Sequence, residues 1–441
     1  MSQSSAPVYK IGLYTGAAIV IANMVGTGVF TSLGFQVLTI KSGFALLMLW
    51  VVGGLIALCG ALCYGELAAA MPRSGGEYHY LSRIYHPAVG FLSGWVSATV
   101  GFAAPTALAA MALGRYANSV LPQLNPQLLS VGVVVALTLV HASSQRAGSR
   151  LQVAFTAVKV VVLVVFIGAG FLMSAPQPVS FASQAPAWLE VLSPAFAVSL
   201  VYVSYAYSGW NAAVYMTGEV DAPQRNLPRI LLIGTVVVLV LYVGLNFIFL
   251  YSTPVARLAG QLEVGYVAAT SIFGPAIGRL MGGVIAVLLV STVSAMIFAG
   301  PRIVQVMGED LPGLRALAHR SARGIPVRAM VLQTALSLAF ILTATFDQVL
   351  LYAGFVLSLF TFLTVLGLFI LRWRQPELDR PYRAWGYPLT PLLFLLLNGW
   401  TLVFILRDKP VESLAGLGTV LVGLAVYYLS RGPVAGQQPN A

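Results

Sequence analysis

The chain has 441 residues, of which 59% are hydrophobic and only 8% charged, where soluble domains carry roughly 25% charge. Those figures describe a polytopic membrane protein. The net charge of +11 makes no case for nucleic acid, because the basic residues fall in short loops between apolar runs, the pattern of cytoplasmic membrane loops.

Twelve apolar runs are long enough to cross about 30 Å of hydrocarbon as helices. They cover 11–39, 43–70, 88–120, 127–145, 150–174, 192–217, 229–252, 277–303, 327–345, 348–371, 386–406 and 412–430, numbered here as spans 1 to 12. With the N-terminus inside, seventeen of the 24 Lys and Arg lie on the cytoplasmic side. Only Lys41, Arg257, Arg279, Arg407 and Lys409 lie on the other, so both termini are expected in the cytoplasm of a cell whose plasma or bacterial inner membrane holds the chain. The expected organisation is one transmembrane domain over 1–431 and a disordered tail from Gly432 to Ala441. The N-terminal MSQSSAPVYK has no basic n-region or small-residue cleavage site, so no removed signal peptide is expected.

Span 1 contains Gly16 to Phe35, apolar throughout except at its centre, Asn23-Met24-Val25-Gly26-Thr27-Gly28. Two glycines one residue apart take away the side chains that hold a helix together, and glycine permits close approach and unusual dihedrals. A helix should break there. In hydrocarbon an unwound backbone survives only where its N–H and C=O groups face protein, water or ligand. Taken alone, GxG fits either a binding site or close helix packing.

Span 2 holds Cys59 and Cys63, four apart on one helical face, which are packing residues rather than a disulfide. Glu66, near its cytoplasmic end, caps local structure or joins an inner gate. The following loop, residues 72 to 87, is polar and aromatic with a Gly75-Gly76 turn, and reads as a short amphipathic segment. In span 3, Arg115 is close enough to the external end to reach the interface.

Span 5 carries Lys159 well inside the helix, where an ammonium is costly and the default expectation is function. Span 6 reads Ser204-Tyr205-Ala206-Tyr207-Ser208-Gly209-Trp210-Asn211 at mid-membrane, a second cluster of glycine, hydroxyls and amide flanked by aromatics. Beside such a break Tyr207 and Trp210 are expected to line a pocket or gate. Residues 253 to 276 could form short external helices. In span 8, Ser291, Thr292 and Ser294 serve either a cation site or backbone hydrogen bonds. Asp347 and Glu190 read as ordinary external-loop residues.

Two breaks five spans apart change the meaning of each. Inverted-repeat transporters place discontinuous helices at corresponding positions of their halves, here spans 1 to 5 (about 11–174) and 6 to 10 (about 192–371), with spans 11 and 12 (about 386–430) outside the repeat. Free N–H groups at a half-helix start favour a carboxylate, and free carbonyls at a half-helix end accept from an ammonium. An α-amino acid fits both. The loop Met24, Val25, Gly26, Thr27 and Gly28 is assigned to the carboxylate, chiefly through the N–H groups of its last three residues. Tyr205, Ala206, Tyr207, Ser208 and Gly209 are assigned to the amine.

At these residues the chain resembles the amino acid, polyamine and organocation transporter superfamily, and within it the L-type amino acid transporters. The resemblance rests on VGTGVF (25–30), YGELAAAMPRSGGEYHYL (64–81), YAYSGWN (205–211) and GEVDAPQRNLPRI (218–230). It implies an all-α LeuT-like fold of twelve helices carrying amino acids by alternating access, with Tyr205 as an aromatic gate, joined here by Trp210. It also implies that Lys159, set against the span 1 break and the Ser291–Ser294 hydroxyls, replaces the sodium ion of coupled relatives, as a proton switch or a fixed organiser. Eukaryotic members are tied to a glycoprotein through a cysteine after span 3; LPQLNP (121–126) has none, so no disulfide-linked ancillary subunit is expected. Gly218-Glu219 stands where many relatives have paired acids.

No catalytic constellation is present: His79, His86, His141 and His319 are scattered, and there is no HExxH pair or P-loop. No enzyme activity, metal or cofactor is expected. A channel would call for a wide polar lining, which two compact breaks do not supply. The expectation is a sodium-independent carrier of neutral L-amino acids, working by exchange or proton coupling. A cationic amino acid or polyamine antiporter is the alternative, ranked lower because spans 1, 3, 6, 8 and 10 place no carboxylate at mid-membrane.

Overall fold

The structure, a computed structural model, describes residues 10–143, 149–321 and 324–430; the tail 432–441 lies outside them. Its regular structure among these residues is helical, apart from one isolated parallel bridge between Ile11 and Val220. Span 1 is two helices, α1 (Leu13–Met24) and α2 (Gly28–Thr39), bent by 41°. α3 (Gly43–Ala70) forms span 2, and α4 (Gly76–Ile84) is the amphipathic loop helix. α5 (Pro87–Val96) and α6 (Ala103–Val120) join through a π-helical turn at Ser97–Gly101. α7 (Pro126–Ser143) and α8 (Ser149–Met173) complete the first half.

The second half starts with a short α9 (Ala185–Val191) and α10 (Pro194–Tyr207), which resumes after a break as a 3₁₀ helix, Ala212–Glu219. α11 (Pro223–Ser252) follows, and the 253–276 loop holds α12 (Val255–Leu258) and α13 (Val264–Phe273). α14 (Pro275–Asp310), α15 (Val327–Thr343) and α16 (Phe346–Arg374) precede the last pair, α17 (Leu389–Asp408) and α18 (Pro410–Ser430). Among the described residues, eight helices are long and apolar enough to cross a membrane, or ten if each bent pair is one span. The described parts of α8 and α15 are shorter apolar helices.

Local chemistry sets the helix ends. Ser42 and Ser193 accept from the backbone N–H groups of Ala45 and Phe196, and Thr345 and Gln348 make a reciprocal capping box. Small side chains then set helix spacing: Ala103, Ala104, Ala107, Ala109, Ala110 and Ala112 of α6 are all fully buried. Close approach of this kind substitutes for the hydrophobic drive that lipid cannot provide between helices.

α8 shows how pattern orients one charge. Val158, Val161, Val165 and Leu172 are exposed along one side, while Lys159, Leu163 and Phe166 are buried on the other. The apolar stripe is the lipid face, so Lys159 points into the protein.

Candidate functional site at two helix breaks

The two breaks lie against one another. A Cβ on Gly28 would stand 2.5 Å from Ala206 Cα, so α2 starts in direct backbone contact with the end of α10. A Cβ on Gly209 would stand 2.9 Å from the Asn23 carbonyl oxygen. Each break is therefore wedged into the other. The expected unusual dihedrals belong to Gly209, at φ +97°; neither Gly26 nor Gly28 has positive φ, and Gly28 is needed for space alone.

Unwinding frees polar backbone, and α11 engages part of it. The buried Tyr242 hydroxyl donates to the Met24 carbonyl at 2.6 Å and is hydrogen-bonded by the Gly26 backbone. Gly26 is thus already engaged, leaving Thr27 and the first turn of α2 as the free end of that half-helix. α2 begins at Gly28, whose N–H has no intrahelical acceptor. Across the break, α10 ends at Tyr207, and Ser208 turns extended with ψ of 148°. The Tyr205 side chain is hydrogen-bonded to that of Thr27, joining the two breaks by their hydroxyls.

Lys159 Nζ donates to Thr292 Oγ1 at 2.8 Å and is 4% exposed. Thr292 in turn adjoins the break: its Cγ2 would be 3.9 Å from a Cβ on Gly26. Of the three hydroxyls expected near Lys159, Ser291, Thr292 and Ser294, it is Thr292 that bonds it. Ser294 is instead 2.8 Å from His141 Nε2, because neighbouring residues of α14 point to different helices. Ser291 is buried on the same helix.

Tyr207 and Trp210, the other aromatics of this break, are each held by neighbouring helices. Tyr207 donates to the Trp50 carbonyl at 3.0 Å and packs on Tyr242, and Trp210 meets Tyr64 edge-on at 4.7 Å between centroids. A Cβ on Gly60 would collide with the Trp210 ring.

The side of the molecule bearing α13 is sealed. Phe35 stacks between Tyr202 and Phe346, with centroids 5.7 and 5.9 Å away. Tyr202 donates to Asp347, so Asp347 is not an ordinary loop residue. Glu190 also departs from expectation, accepting the backbone N–H groups of Lys41 and Ser42 ahead of α3. Arg115, whose side chain is 46% exposed, pairs with Glu263 at 3.3 Å, and Gly260 N–H donates to the Gly34 carbonyl. α12 and α13 are thereby laid over α2.

On the opposite side, Glu66 is held by Arg372 at 2.6 Å and Arg380 at 3.5 Å and accepts from the Ala384 N–H, tying α3 to the end of α16. Glu77 of α4 is 6% exposed and accepts from Tyr64 at 2.6 Å and Asn211 at 3.0 Å, with Ser93 a third partner. Burial pushes its pKa up to about 7 against those hydrogen bonds. Tyr242 and Glu77 were not singled out from sequence. A tyrosine in an apolar run carries no local signal, and a loop glutamate reads as solvated.

These features define an all-helical, multi-span membrane protein with a polar site where two interrupted helices meet. The chain belongs to the amino acid permease family, whose model matches residues 11–423. It is 32% identical to the large neutral amino acids transporter small subunit 2 of Mus musculus, over 95% of this chain and 80% of that protein. It is 30% identical to the Asc-type amino acid transporter 1 of Mus musculus, over 95% and 81%. It is 27% identical to the b(0,+)-type amino acid transporter 1 of the same organism, over 95% and 87%.

Proposed function

We propose that the chain is a sodium-independent secondary transporter of neutral L-amino acids, working by alternating access through exchange or proton coupling. The observation that carries this is the contact of the Gly28 and Ala206 backbones, which brings a half-helix start and a half-helix end to one point. Such a point has positive potential for a carboxylate and carbonyls for an amine. The names of the related large neutral and Asc-type transporters support the substrate class.

In this reading the chain is one domain of twelve spans with a LeuT-like pair of inverted repeats. Thr27 and Gly28, at the free start of α2, hold the carboxylate, and Met24, Val25 and Gly26 form the loop that positions them. Tyr205, Ala206, Tyr207, Ser208 and Gly209 form the amine side of the site, and Tyr205 and Trp210 are the gate. Lys159, bonded to Thr292 beside the break, takes the place of a sodium ion. The α4 side is cytoplasmic, as the excess of Lys and Arg there supports. The sealed α13 side is then external. With no cysteine in 121–126 and with Cys59 and Cys63 buried, the carrier needs no disulfide-linked subunit.

Reconstituted protein tests the reading. Uptake of a labelled neutral amino acid is expected to saturate, to rise with a counter-substrate inside the vesicle, and to ignore replacement of sodium by choline. A thermal-shift screen against the amino acids identifies the preferred side chain, since a ligand that binds only the folded state raises the melting temperature. Uptake that requires sodium, or that is linear and indifferent to counter-substrate, would overturn it.

A further inference from the structure

Glu77 occupies a position that packing alone does not explain. The Gly75-Gly76 turn that delivers it has φ of +121° and +51°, and a Cβ on Gly76 would stand 2.7 Å from the Tyr215 ring. The turn thus presses α4 against the 3₁₀ segment that follows the α10 break. From there the carboxylate reaches three other elements: Tyr64 on α3, Asn211 at the break, and Ser93 on α5. Tyr64 and Asn211 both donate to the same oxygen, Oε1.

All three partners are neutral. The titratable groups that feel its charge are phenols, Tyr64 from α3, Tyr80 from α4 itself and Tyr215 from the 3₁₀ segment, and Arg374 of α16, which also packs on α4, donates to the Ile84 carbonyl. α5 contributes only the Ser93 hydroxyl. The bases of its own segment, Arg73 and Arg83, act on His79 instead, and Glu66 is taken by Arg372 and Arg380. An ionised carboxylate buried without a cation is costly. A protonated one fits the same cage: its O–H donates to Ser93, whose hydroxyl also accepts, while Oε1 keeps Tyr64 and Asn211.

We propose that Glu77 is a proton-binding site coupled to movement of the inner half of span 6, protonated while α3, α5 and the 3₁₀ segment enclose it and ionised when they part and water enters. The proton goes to and comes from cytoplasmic water, and no other reactant is needed. The sign follows from linkage. The enclosed state holds the proton more tightly than a hydrated carboxyl does, so low pH favours enclosure and its stabilisation is lost as pH rises through about 7. Rising cytoplasmic pH therefore frees the segment beside the substrate site.

The inference rests on the carrier reading for its consequence, but its test needs no transport. A single cysteine at Ala212, in a background without Cys59 and Cys63, is labelled with a water-soluble maleimide in purified protein. The rate is normalised at each pH to that of the unfolded chain. Between about pH 6 and about pH 8 a group titrating near 7 changes its ionised fraction about tenfold, and labelling is expected to rise with it. Glu77→Gln, which mimics the protonated form, is expected to label slowly at every pH. Tyr64→Phe removes a donor that favours the charged form and is expected to move the midpoint to higher pH. A wild-type rate independent of pH, a glutamine variant that keeps the wild-type profile, or a midpoint unmoved or lowered by Tyr64→Phe would overturn the assignment. Should Glu77→Gln not fold, the Tyr64→Phe midpoint decides. Failure of the carrier reading would appear separately, as absent amino acid uptake with the labelling profile intact.

Discussion

Gly28→Val puts a branched side chain where two backbones touch. The Cβ alone would lie 2.5 Å from Ala206 Cα and 2.6 Å from its Cβ, against about 3.5–4.0 Å for relaxed carbon contacts. Backbone atoms cannot swing aside as the end of a long side chain can, so α2 and α10 must separate by about 1 Å. Overpacking of this kind costs about 1–3 kcal/mol, less than the roughly 5–15 kcal/mol that holds a typical domain folded. The variant should therefore insert and fold. A displacement of about 1 Å between groups that must converge on one small molecule can cost about 100-fold, and uptake should fall by that order. Gly26→Ala is the matched control: its Cβ would meet only Met24 O at 3.8 Å and Thr292 Cγ2 at 3.9 Å, ordinary contacts. Initial uptake rates across a substrate series, with thermal unfolding and membrane yield measured in parallel, separate lost binding from lost protein. Normal apparent affinity in Gly28→Val, with the control also normal, would refute the idea that the junction of the breaks holds the substrate.

Lys159→Ala should reach the membrane yet lose most transport, because the ammonium that bonds Thr292 beside Gly26 is gone; near-normal uptake would remove the lysine from the mechanism. In a partly active variant, a lost pH dependence would assign Lys159 as a proton switch and a retained one as a fixed organiser. Asp347→Asn weakens a charge-assisted bond to Tyr202, so a cysteine at Ser32, buried beneath the seal, should be labelled faster from outside; an unchanged rate would mean that the ring stack of Phe35 closes this side unaided. Cysteines placed singly at Ser4 and Gln437 should resist impermeant reagents in intact cells, and labelling of either would contradict the twelve-span topology.

The linear chain determined what depends on local composition. Gly26, Gly28 and Gly209 within apolar runs announced interruptions, since glycine weakens a helix wherever it stands. Lys159 announced itself because a charge at that depth is costly whatever surrounds it. Only the tertiary structure decided which groups meet. Tyr242 reaches Met24 across 218 residues and Lys159 reaches Thr292 across 133, and such pairings depend on how helices are stacked and rotated rather than on the residues' neighbours in sequence. Rotation along α14 gave Thr292 to Lys159 and Ser294 to His141, although the two differ by two positions. Stacking likewise turned loop acids into ties, Asp347 to Tyr202 and Glu263 to Arg115. It also closed three elements round Glu77, within a loop whose composition suggested a short amphipathic segment and no buried acid. A buried polar group needs a partner, but the sequence states the need without naming who meets it.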